Sequence, residues 1–505
     1  MRTLVRDLMS TPAVTCERIA TVATAAQIMN HADIGSVVVV DDEKVVGILT
    51  ERDVLRAAAA GVDAGELVAA WMTSNPDVLS PEELVDAAWV SLTHHHYRHL
   101  PVVDGNTLAG VVSLRDLMRM ARLRPPDEPA PEVPAGLEGV VVAETELGDV
   151  RGEEGFYHYR QYSAVDLAAS CSLEDVWHLM FYGSLPDPKQ GRRFRDRIAK
   201  ERALPETLRA QLPALASAGS PLEVLRSAVS VLGAELGWRP THDIDHDELA
   251  DQALRLCAVV PTILASVWRI QNGSSLVEPR SDLSPSGNYL WMLSGAEPAP
   301  AHARAVEQYQ ILTIDHGFNA STFTARVIAS TGADLAAAVC GAIGALSGPL
   351  HGGAPSRALA MLDDIAEPER AEPWLRAAVE RGDRIMGFGH RVYKTDDPRS
   401  LFLRDIARSL GGPLVDFSAQ VEKTAVDVLA ELKPGRQLYT NVEFYAGVIM
   451  NSCGIPREMF TPTFAAGRVI GWAAHVLEQA MHNRLIRPSA RYIGPPAPQP
   501  LPSLA

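Results

Sequence analysis

The chain has 505 residues with 47% hydrophobic residues, enough for two or three soluble domains with sizeable cores. Its formal charge of -16 disfavours non-specific binding to nucleic acid or to an anionic membrane surface. The five cysteines form no CxxC pair, no apolar stretch of signal length lies near the start and no segment approaches the ~20 apolar residues of a membrane span, so we expect a cytoplasmic protein.

An internal repeat occupies residues 1–122. The sequence VGILTERDVLR (46–56) matches AGVVSLRDLMR (109–119). Each copy contains a helical stretch such as ATAAQIMNHA, then two β-branched strands joined by a turn, then a second helix. We therefore expect two small α/β units, at about 1–60 and 65–122.

This repeat resembles a tandem pair of CBS domains. The sequences TERD and SLRD fit the [ST]-x-x-D pattern of that family at the turn from strand to helix. The resemblance implies that Thr50, Asp53, Ser113 and Asp116 hold the ribose and phosphate of an adenine nucleotide. A carboxylate can accept from ribose hydroxyls, and a helix N-terminus favours a phosphate. The alternative is that Asp53 and Asp116 only cap their helices.

A histidine cluster in the second repeat invites comparison with a metal site. Its members are His94, His95, His96 and His99. Three consecutive helical positions point about 100° apart, so they cannot all bind one ion. We expect a solvated helix end here and no metal site.

The composition changes after the repeat. The sequence RPPDEPAPEVPA predicts an extended, semi-rigid linker over residues 123–135. From Gly136 to about Pro488 the pattern is predominantly helical, with the main strand-like run at 139–147. The Pro-rich tail, residues 494–505, is expected to be disordered.

Three helices of this region are predicted most clearly. Residues 173–183 place apolar side chains on one face and end at Gly183, a C-cap signal. Residues 247–270 form a long helix with an expected kink at Pro261. Residues 461–483 are apolar on most faces, which predicts a buried helix.

Four stretches of the helical region carry unusual polar groups. They are TIDHGFNASTFTARVIAST with His316, ALSGPLHGGAPSRA with His351, IMGFGHRVYKTDDPR with His390 and YTNVEFYAGVIMNSCGIP with Glu443. A single histidine is more often structural than catalytic. The glycines beside His351 and His390 favour a ligand, because glycine is used where a ligand approaches the backbone closely.

Together these stretches resemble the citrate synthase family, and the likeness covers residues 136–493. DHGFNASTFTARV, GPLHGGA, GFGHRVYKTDDPR and NVEFYAGVIM occur in the family's order. The resemblance implies a mainly α-helical homodimer, or a higher homo-oligomer, with a large and a small domain and an active site between them. It also implies condensation of acetyl-CoA with oxaloacetate, without a metal or an organic prosthetic group. The expected fold is thus multidomain: an α/β CBS pair followed by a helical catalytic region.

The resemblance gives the polar residues specific roles. A thioester methyl group is a weak carbon acid, so its deprotonation requires a base and donors that stabilise the enolate. Glu443 matches the family's base. His351 would hydrogen-bond the thioester oxygen, and His390 would donate to the keto oxygen of oxaloacetate.

The remaining matches concern substrate binding. Arg399, Arg468 and Arg487 match the arginines that bind the oxaloacetate carboxylates, with Arg487 supplied across the dimer interface. His316 matches a further oxaloacetate contact. The matches for CoA are Lys394 for a phosphate and Gly387, Phe388 and Gly389 for the adenine side.

Two departures from the family pattern leave alternatives open. Glu443 stands where aspartate is usual, and the extra methylene moves the carboxylate by more than about 1 Å. Thr313 stands where many relatives have histidine. Our leading hypothesis is a citrate synthase modulated by adenine nucleotide. The alternatives are a 2-methylcitrate synthase that uses propionyl-CoA and a nucleotide-sensing regulatory protein with a weakened catalytic half.

Overall fold

The computed structural model divides into two compact units, Met1–Val141 and Val142–Ala505. It describes residues 4–42, 44–63, 65–94, 97–105, 107–114, 116–117, 134–349, 351–352, 354–390, 393, 395–435, 438–495 and 499. Four sets of predictions lie outside the described residues: positions 123–133 of the linker, His95 and His96, Lys394, and most of the tail.

The first unit contains strands and helices in alternation, as the repeat predicts. Thr21 begins the first helix, because its hydroxyl accepts from the backbone N–H of Thr24 at 3.1 Å. The elements are β1 (Thr15–Glu17), α1 (Val22–Ala32), β2 (Ser36–Asp41), β3 (Lys44–Thr50), α2 (Glu51–Ala59), β4 (Thr73–Ser74), α3 (Val85–His94), β5 (His99–Asp104) and β6 (Thr107–Ser113).

The two repeats exchange their leading segments. One sheet has the order β1-β2-β3-β4, with β1 parallel to β2 and with β4 supplied by the second repeat, while β5 and β6 of the second repeat pair in antiparallel fashion. Val5 is buried in the core of the second repeat, and Ser10 bridges to Val111. Conversely, Val68 is buried in the core of the first repeat. The packing of each repeat therefore includes residues from the other.

The second unit is mainly helical and begins with a small antiparallel sheet. The strands are β7 (Gly148–Arg151), β8 (Phe156–Tyr159) and β9 (Tyr162–Ser163). The helices are α4 (Ala164–Ser170), α5 (Leu173–Tyr182), α6 (Pro188–Lys200), α7 (Glu206–Ala216), α8 (Pro221–Glu235), α9 (His246–Gln271), α10 (Pro285–Ser294), α11 (Pro300–Thr313), α12 (Ala320–Ser330), α13 (Leu335–Leu346), α14 (Ala354–Ile365), α15 (Pro368–Glu380), α16 (Pro398–Leu410), α17 (Pro413–Leu432), α18 (Val442–Ser452) and α19 (Phe460–Met481).

The prediction of a strand at 139–147 is wrong. These residues take no strand conformation, and the first strand begins at Gly148. Val141 is 86% exposed, so the apolar run does not mark a buried strand. The segment is tied down by a side chain instead: Glu478 accepts from the Glu146 N–H at 2.7 Å and from the Thr145 hydroxyl at 2.8 Å.

The predicted helices are present. Helix α5 ends at Gly183, whose φ of 78° is the left-handed cap conformation. Helix α9 continues unbroken through Pro261. It is long and apolar enough to cross a membrane, but 72% of its most apolar window is buried in the protein, which makes it a core helix.

Helix α19 packs closely against the end of α11. A Cβ atom at Gly471 of α19 would overlap the carbonyl oxygen of Ile314. Glycine therefore permits a contact that no other residue would allow at this position. The contact places α19 beside the segment that carries His316.

Candidate active site

Two of the predicted histidines lie side by side. The ring centroids of His316 and His390 are 5.6 Å apart, and the hydroxyl of Tyr393 lies 3.0 Å from Nε2 of His316. Burial lowers the pKa of His316 well below its ordinary value, and the charges of Arg399, His390 and Arg468 lower it further. His316 is therefore neutral and can donate one hydrogen bond without adding a charge.

Arg399 is held by a buried, bidentate ion pair. Its Nε and Nη2 atoms donate to the two oxygens of Asp397 at 2.9 and 2.8 Å. Burial opposes ionisation of Arg399, but Asp397 holds its pKa above the ordinary value. The guanidinium carbon also lies 5.9 Å from the ring centroid of Tyr157 and 5.6 Å from that of Tyr393. The cation is thus fixed in orientation.

Asp397 also connects two helices of the site. It caps the first turn of α16 by accepting from the backbone N–H of Arg399 at 3.0 Å. Its other oxygen accepts from the N–H of Val442 at 3.1 Å, at the start of α18. Because Glu443 is the next residue, the ion pair fixes the position of the candidate base relative to Arg399.

Glu443 lies in the first turn of α18, where Asn441 caps the helix by accepting from its N–H at 3.0 Å. Burial raises the pKa of Glu443 to about 7, with Arg399 opposing the shift and Asp397 adding to it. A carboxyl group with a pKa near neutrality suits a general base.

A short pair of extended segments joins His390 to Glu443. The Gly389 N–H donates to the Tyr439 carbonyl at 2.8 Å, and the Asn441 N–H donates to the Gly387 carbonyl at 2.9 Å. Gly387 has a φ of +83°, and a Cβ there would meet Cβ of Phe444 at 3.0 Å. Glycine is therefore needed for this close approach.

The side chain of Phe388 lies in the core of the second unit. It is 6% exposed and packs on Phe444, with ring centroids 5.3 Å apart. Its aromatic ring thus belongs to the core, and only the backbone of this loop is left for a ligand.

Both ring nitrogens of His390 face donors. Its Nδ1 accepts from the backbone N–H of Tyr393 at 3.1 Å, so in the neutral ring only Nε2 can carry a proton for donation. That Nε2 lies 3.3 Å from Nη2 of Arg399, which can only donate. Two adjacent donors suit an acceptor such as a carbonyl beside a carboxylate.

His351 contacts Ser321, near the start of α12. Nε2 of His351 lies 2.8 Å from the Ser321 hydroxyl, which donates to Oδ1 of Asn319 at 2.8 Å and accepts from Nε1 of Trp472 at 3.0 Å. Because the single hydroxyl proton goes to Asn319, Nε2 of His351 is the donor in this contact. If the hydroxyl turned to Nε2 instead, the ring would carry its own proton on Nδ1. Burial lowers the pKa of His351 to about 4, aided by the charge of Arg468, so the ring is neutral.

Arg468 is the second buried arginine of the cluster. Its Nε donates to the carbonyl of Thr313 at 2.6 Å, and its guanidinium carbon lies 4.6 Å from the ring centroid of Phe464. Burial lowers its pKa. The Thr313 hydroxyl bonds back to the Tyr309 carbonyl at 2.9 Å, so this side chain serves its own helix.

A buried polar chain lies behind His316. Burial would raise the pKa of Asp315, but His475 and Arg468 bring it below the ordinary value. Nε2 of His475 lies 3.1 Å from Asp315, and its Nδ1 accepts from Arg326 at 3.1 Å. Arg326 in turn pairs with Glu478. The chain connects the segment that carries His316 with Glu478, which holds the backbone near the start of the unit.

Arg487 does not join this cluster within one chain. It is exposed in the extended segment after α19, and no hydrogen bond or ion pair joins it to the described residues. The cluster therefore contains His316, His351, His390, Arg399, Glu443 and Arg468, while Arg487 stays apart.

Sequence reasoning missed three residues that support the cluster. Asp397, before Pro398, has the signal of an N-cap, which would have marked it as a helix start. Ser321 lies in the sequence Asn-Ala-Ser-Thr, in which Asn319 is a recognisable N-cap, but this signal indicates only a helix start. Asp315 has no local signal, since its partner His475 lies 160 residues away.

The nucleotide residues predicted in the first unit all serve as helix caps. Asp53 accepts from the N–H and hydroxyl of Thr50 at 3.0 and 2.7 Å, and Asp116 accepts from those of Ser113 at 2.9 and 2.6 Å. Ser113 and Asp116 also line a cavity of about 870 Å³ with residues of the first repeat, including Glu51. Thr50 and Asp53 do not line it.

Comparison with known families agrees with this geometry. The family model described as "Citrate synthase, C-terminal domain" matches residues 136–489. The chain belongs to the citrate synthase family. A second family model, "CBS domain", matches residues 5–60 and 64–122. Both predicted resemblances are confirmed, and the chain joins a CBS pair to a citrate synthase.

Relatives of this citrate synthase match almost over their full length. The citrate synthase of Haloferax volcanii is 39% identical over 366 residues, 72% of this chain and 96% of the relative. Citrate synthase 2 of Bacillus subtilis is 38% identical over 71% of this chain and 95% of its own. These relatives thus correspond to the second unit.

Solved structures agree in fold. The citrate synthase of Thermotoga maritima matches with a TM-score of 0.65 at 35% identity, over 74% of this chain and 98% of that one. The Thermoplasma acidophilum citrate synthase, solved as a ternary complex with carboxymethyl coenzyme A and oxaloacetate, matches with a TM-score of 0.69 at 30% identity, over 74% and 99%.

Proposed function

We propose that the second unit condenses acetyl-CoA with oxaloacetate and water to give citrate and CoA. The observation that carries this proposal is the grouping of Arg399 and Arg468 with the neutral histidines His316 and His351 and a carboxyl group of raised pKa. Two planar guanidinium groups suit the two carboxylates of oxaloacetate. The solved relative that holds oxaloacetate and a CoA derivative supports the same assignment.

Glu443 acts as the base in this proposal. Its ionised carboxylate removes a proton from the acetyl methyl group, and the thioester carbonyl becomes an enol(ate). His351 stabilises the developing charge by donating from Nδ1, which requires the Ser321 hydroxyl to turn from Asn319 to Nε2 of His351. A neutral histidine donates from one ring nitrogen only, so with its lowered pKa the tautomer of His351 matters for this role.

His390 acts on the second substrate. Its Nε2–H donates to the keto oxygen of oxaloacetate, which makes the keto carbon more electrophilic. The enol carbon attacks that carbon, and the keto oxygen takes a proton to become the hydroxyl of the product. Water then cleaves the thioester, which releases CoA and leaves citrate.

The third substrate arginine requires a second chain. Arg487 lies in the segment after α19, where Ile486 is anchored by donating its N–H to the Ser330 hydroxyl at 3.1 Å. Large apolar side chains of this segment are exposed: Leu485 55%, Tyr492 72% and Ile493 87%. We propose that the segment packs on a second copy of the chain and brings Arg487 to its active site.

The first unit is proposed to bind an adenine nucleotide that modulates the enzyme. The cavity lined by Ser113 and Asp116 supports this, because it places a carboxylate and a helix start inside a space of about 870 Å³. A nucleotide that prefers one conformation of the pair shifts the equilibrium of whatever is coupled to it.

Steady-state kinetics test the catalytic proposal. Oxaloacetate is combined with acetyl-CoA or with propionyl-CoA, and release of the free thiol is followed. We expect the higher kcat/KM with acetyl-CoA. A higher value with propionyl-CoA would identify a 2-methylcitrate synthase. Failure of both thioesters, with a nucleotide still bound, would identify a regulatory protein.

A further inference from the structure

The C-terminal end of helix α11 is capped by two tyrosines from a distant part of the chain. The last carbonyls of an α-helix have no partner within the helix. Here the Leu312 carbonyl accepts from the hydroxyl of Tyr157 at 3.2 Å, and the Ile311 carbonyl accepts from the hydroxyl of Tyr159 at 2.9 Å as well as from the N–H of Ile314 at 3.3 Å. Both tyrosines come from β8 and are almost completely buried.

Tyr159 continues this support beyond the helix. Its hydroxyl lies 3.1 Å from the carbonyl of Asp315 and accepts from the N–H of Asp315 at 3.3 Å. One side chain thus contacts both the end of α11 and the residue directly before His316. The backbone at His316 is thereby held from the side of β8.

Tyr157 reaches two substrate residues directly. Its ring centroid lies 5.5 Å from that of His316 and 5.9 Å from the guanidinium carbon of Arg399. The face of an aromatic ring attracts a guanidinium, so the ring limits where Arg399 can move. The hydroxyl at the other end of the same side chain fixes the ring to Leu312.

We propose that Tyr157 and Tyr159 are positioning residues for oxaloacetate. Their hydroxyls hold the end of α11 against β8, so His316 and Arg399 keep the geometry that the substrate needs. This inference rests on the proposed function, because it takes oxaloacetate as the ligand of the cluster. It adds β8, which carries none of the predicted site residues, to the support of the active site.

The test compares four Tyr→Phe variants of the full chain. Tyr157→Phe and Tyr159→Phe keep the ring and remove the hydroxyl. Tyr289→Phe is the matched control, because Tyr289 is equally buried and its hydroxyl lies 2.9 Å from that of Thr463 and not at the carbonyls of Ile311 and Leu312. Tyr162→Phe on β9 is the control for an exposed tyrosine of the same sheet.

Oxaloacetate affinity is measured by titration calorimetry, and KM values are measured for both substrates. We expect oxaloacetate binding to weaken at least about fivefold in Tyr157→Phe and Tyr159→Phe, because His316 and Arg399 lose the alignment that the substrate needs, with the KM for acetyl-CoA within about twofold. Tyr289→Phe should lower the melting temperature without changing oxaloacetate affinity.

The outcomes separate this inference from the proposed reaction. Unchanged oxaloacetate affinity in both site variants would overturn the positioning role and leave the reaction intact. Weakened binding in an enzyme that turns over neither thioester would support the positioning role and refute the reaction. An unmutated chain that does not bind oxaloacetate would overturn both.

Discussion

Nε2 of His351 lies 2.8 Å from the hydroxyl oxygen of Ser321, a residue that is itself completely buried. The contact joins two stretches of the site: the glycine-rich stretch that contains His351, and the start of α12, which Asn319 caps. Since the imidazole is neutral, its tautomer decides whether it can donate to a substrate oxygen. The orientation of the Ser321 hydroxyl therefore affects which ring nitrogen of His351 can donate.

Ser321→Ala should lower kcat about tenfold or more, because it removes the hydroxyl that, in the proposed mechanism, turns to Nε2 and leaves the ring proton on Nδ1. The KM for oxaloacetate should change little. Thr324→Ala is the control, since Thr324 is on the same helix and its hydroxyl only bonds back to Ala320 at 2.8 Å. A kcat within twofold of the unmutated enzyme would contradict the role of Ser321.

Glu443→Gln should lower turnover at least about 100-fold, the scale of general-base catalysis, because it removes the carboxylate and keeps the shape. Oxaloacetate affinity, measured by calorimetry, should stay close to that of the unmutated chain. Glu443→Asp serves as the control, since it keeps the carboxylate on a shorter arm. Near-normal turnover in Glu443→Gln would show that the base lies elsewhere.

The pH profile of kcat/KM should follow the ionisation of Glu443. Its pKa is raised to about 7, and the ionised form is the base, so the rate should rise with pH through this value. Below it, kcat/KM should fall about tenfold per pH unit. The pKa of His351 is lowered to about 4, so this ring stays neutral through the same range. A flat profile between about pH 5.5 and 8 would exclude Glu443 as the titrating base.

Mixed dimers test the contribution of Arg487 across the interface. Arg487→Ala and His390→Ala chains should each be inactive alone. Exchange of subunits should restore activity, because one site of the heterodimer keeps both residues. If exchange is demonstrated by differential tags and activity stays absent, Arg487 does not serve the partner's site.

Nucleotide regulation is tested by comparing the full chain with a chain that begins at Gly136. ATP, ADP or AMP should change the kinetics of the full chain, on the order of fivefold in substrate affinity. The shortened chain should respond much less. It corresponds to nearly full-length relatives, which supports independent folding. Competition by ATP at the CoA pocket would survive this truncation, whereas allostery would not.

Point variants add a matched comparison to the truncation. The double variant Asp53→Ala, Asp116→Ala should lose the nucleotide effect. Both carboxylates cap a helix in the same way, but Asp116 lines the cavity and Asp53 does not. Asp116→Ala alone should therefore reduce the response more than Asp53→Ala. Equal sensitivity in full-length and shortened chains would leave the pair as an assembly module.

Sequence patterns predicted the helices well, but they did not reveal most of the residues that hold the site residues in place. Helix α19 followed from its apolar residues, and the end of α5 followed from Gly183, because both signals are local. The run at 139–147 looked like a strand because β-branched residues favour strands, yet Val141 faces solvent. Tyr159 could not be found, because its role depends on a helix end about 150 residues later in the chain.

The raised pKa of Glu443 means that its ionised form, which the proposed chemistry needs, lowers the stability of the folded chain. A carboxyl group whose pKa is higher in the folded chain than in the unfolded chain favours folding most when it is protonated. Below its unfolded pKa of 4.5 this group imposes no penalty; as the pH rises from there through about 7 the free energy of unfolding decreases, and above about 7 the penalty is complete. The ionised form of Glu443, which the proposed reaction requires, is therefore the form that destabilises the folded chain. A negatively charged substrate must bind against the repulsion of that carboxylate.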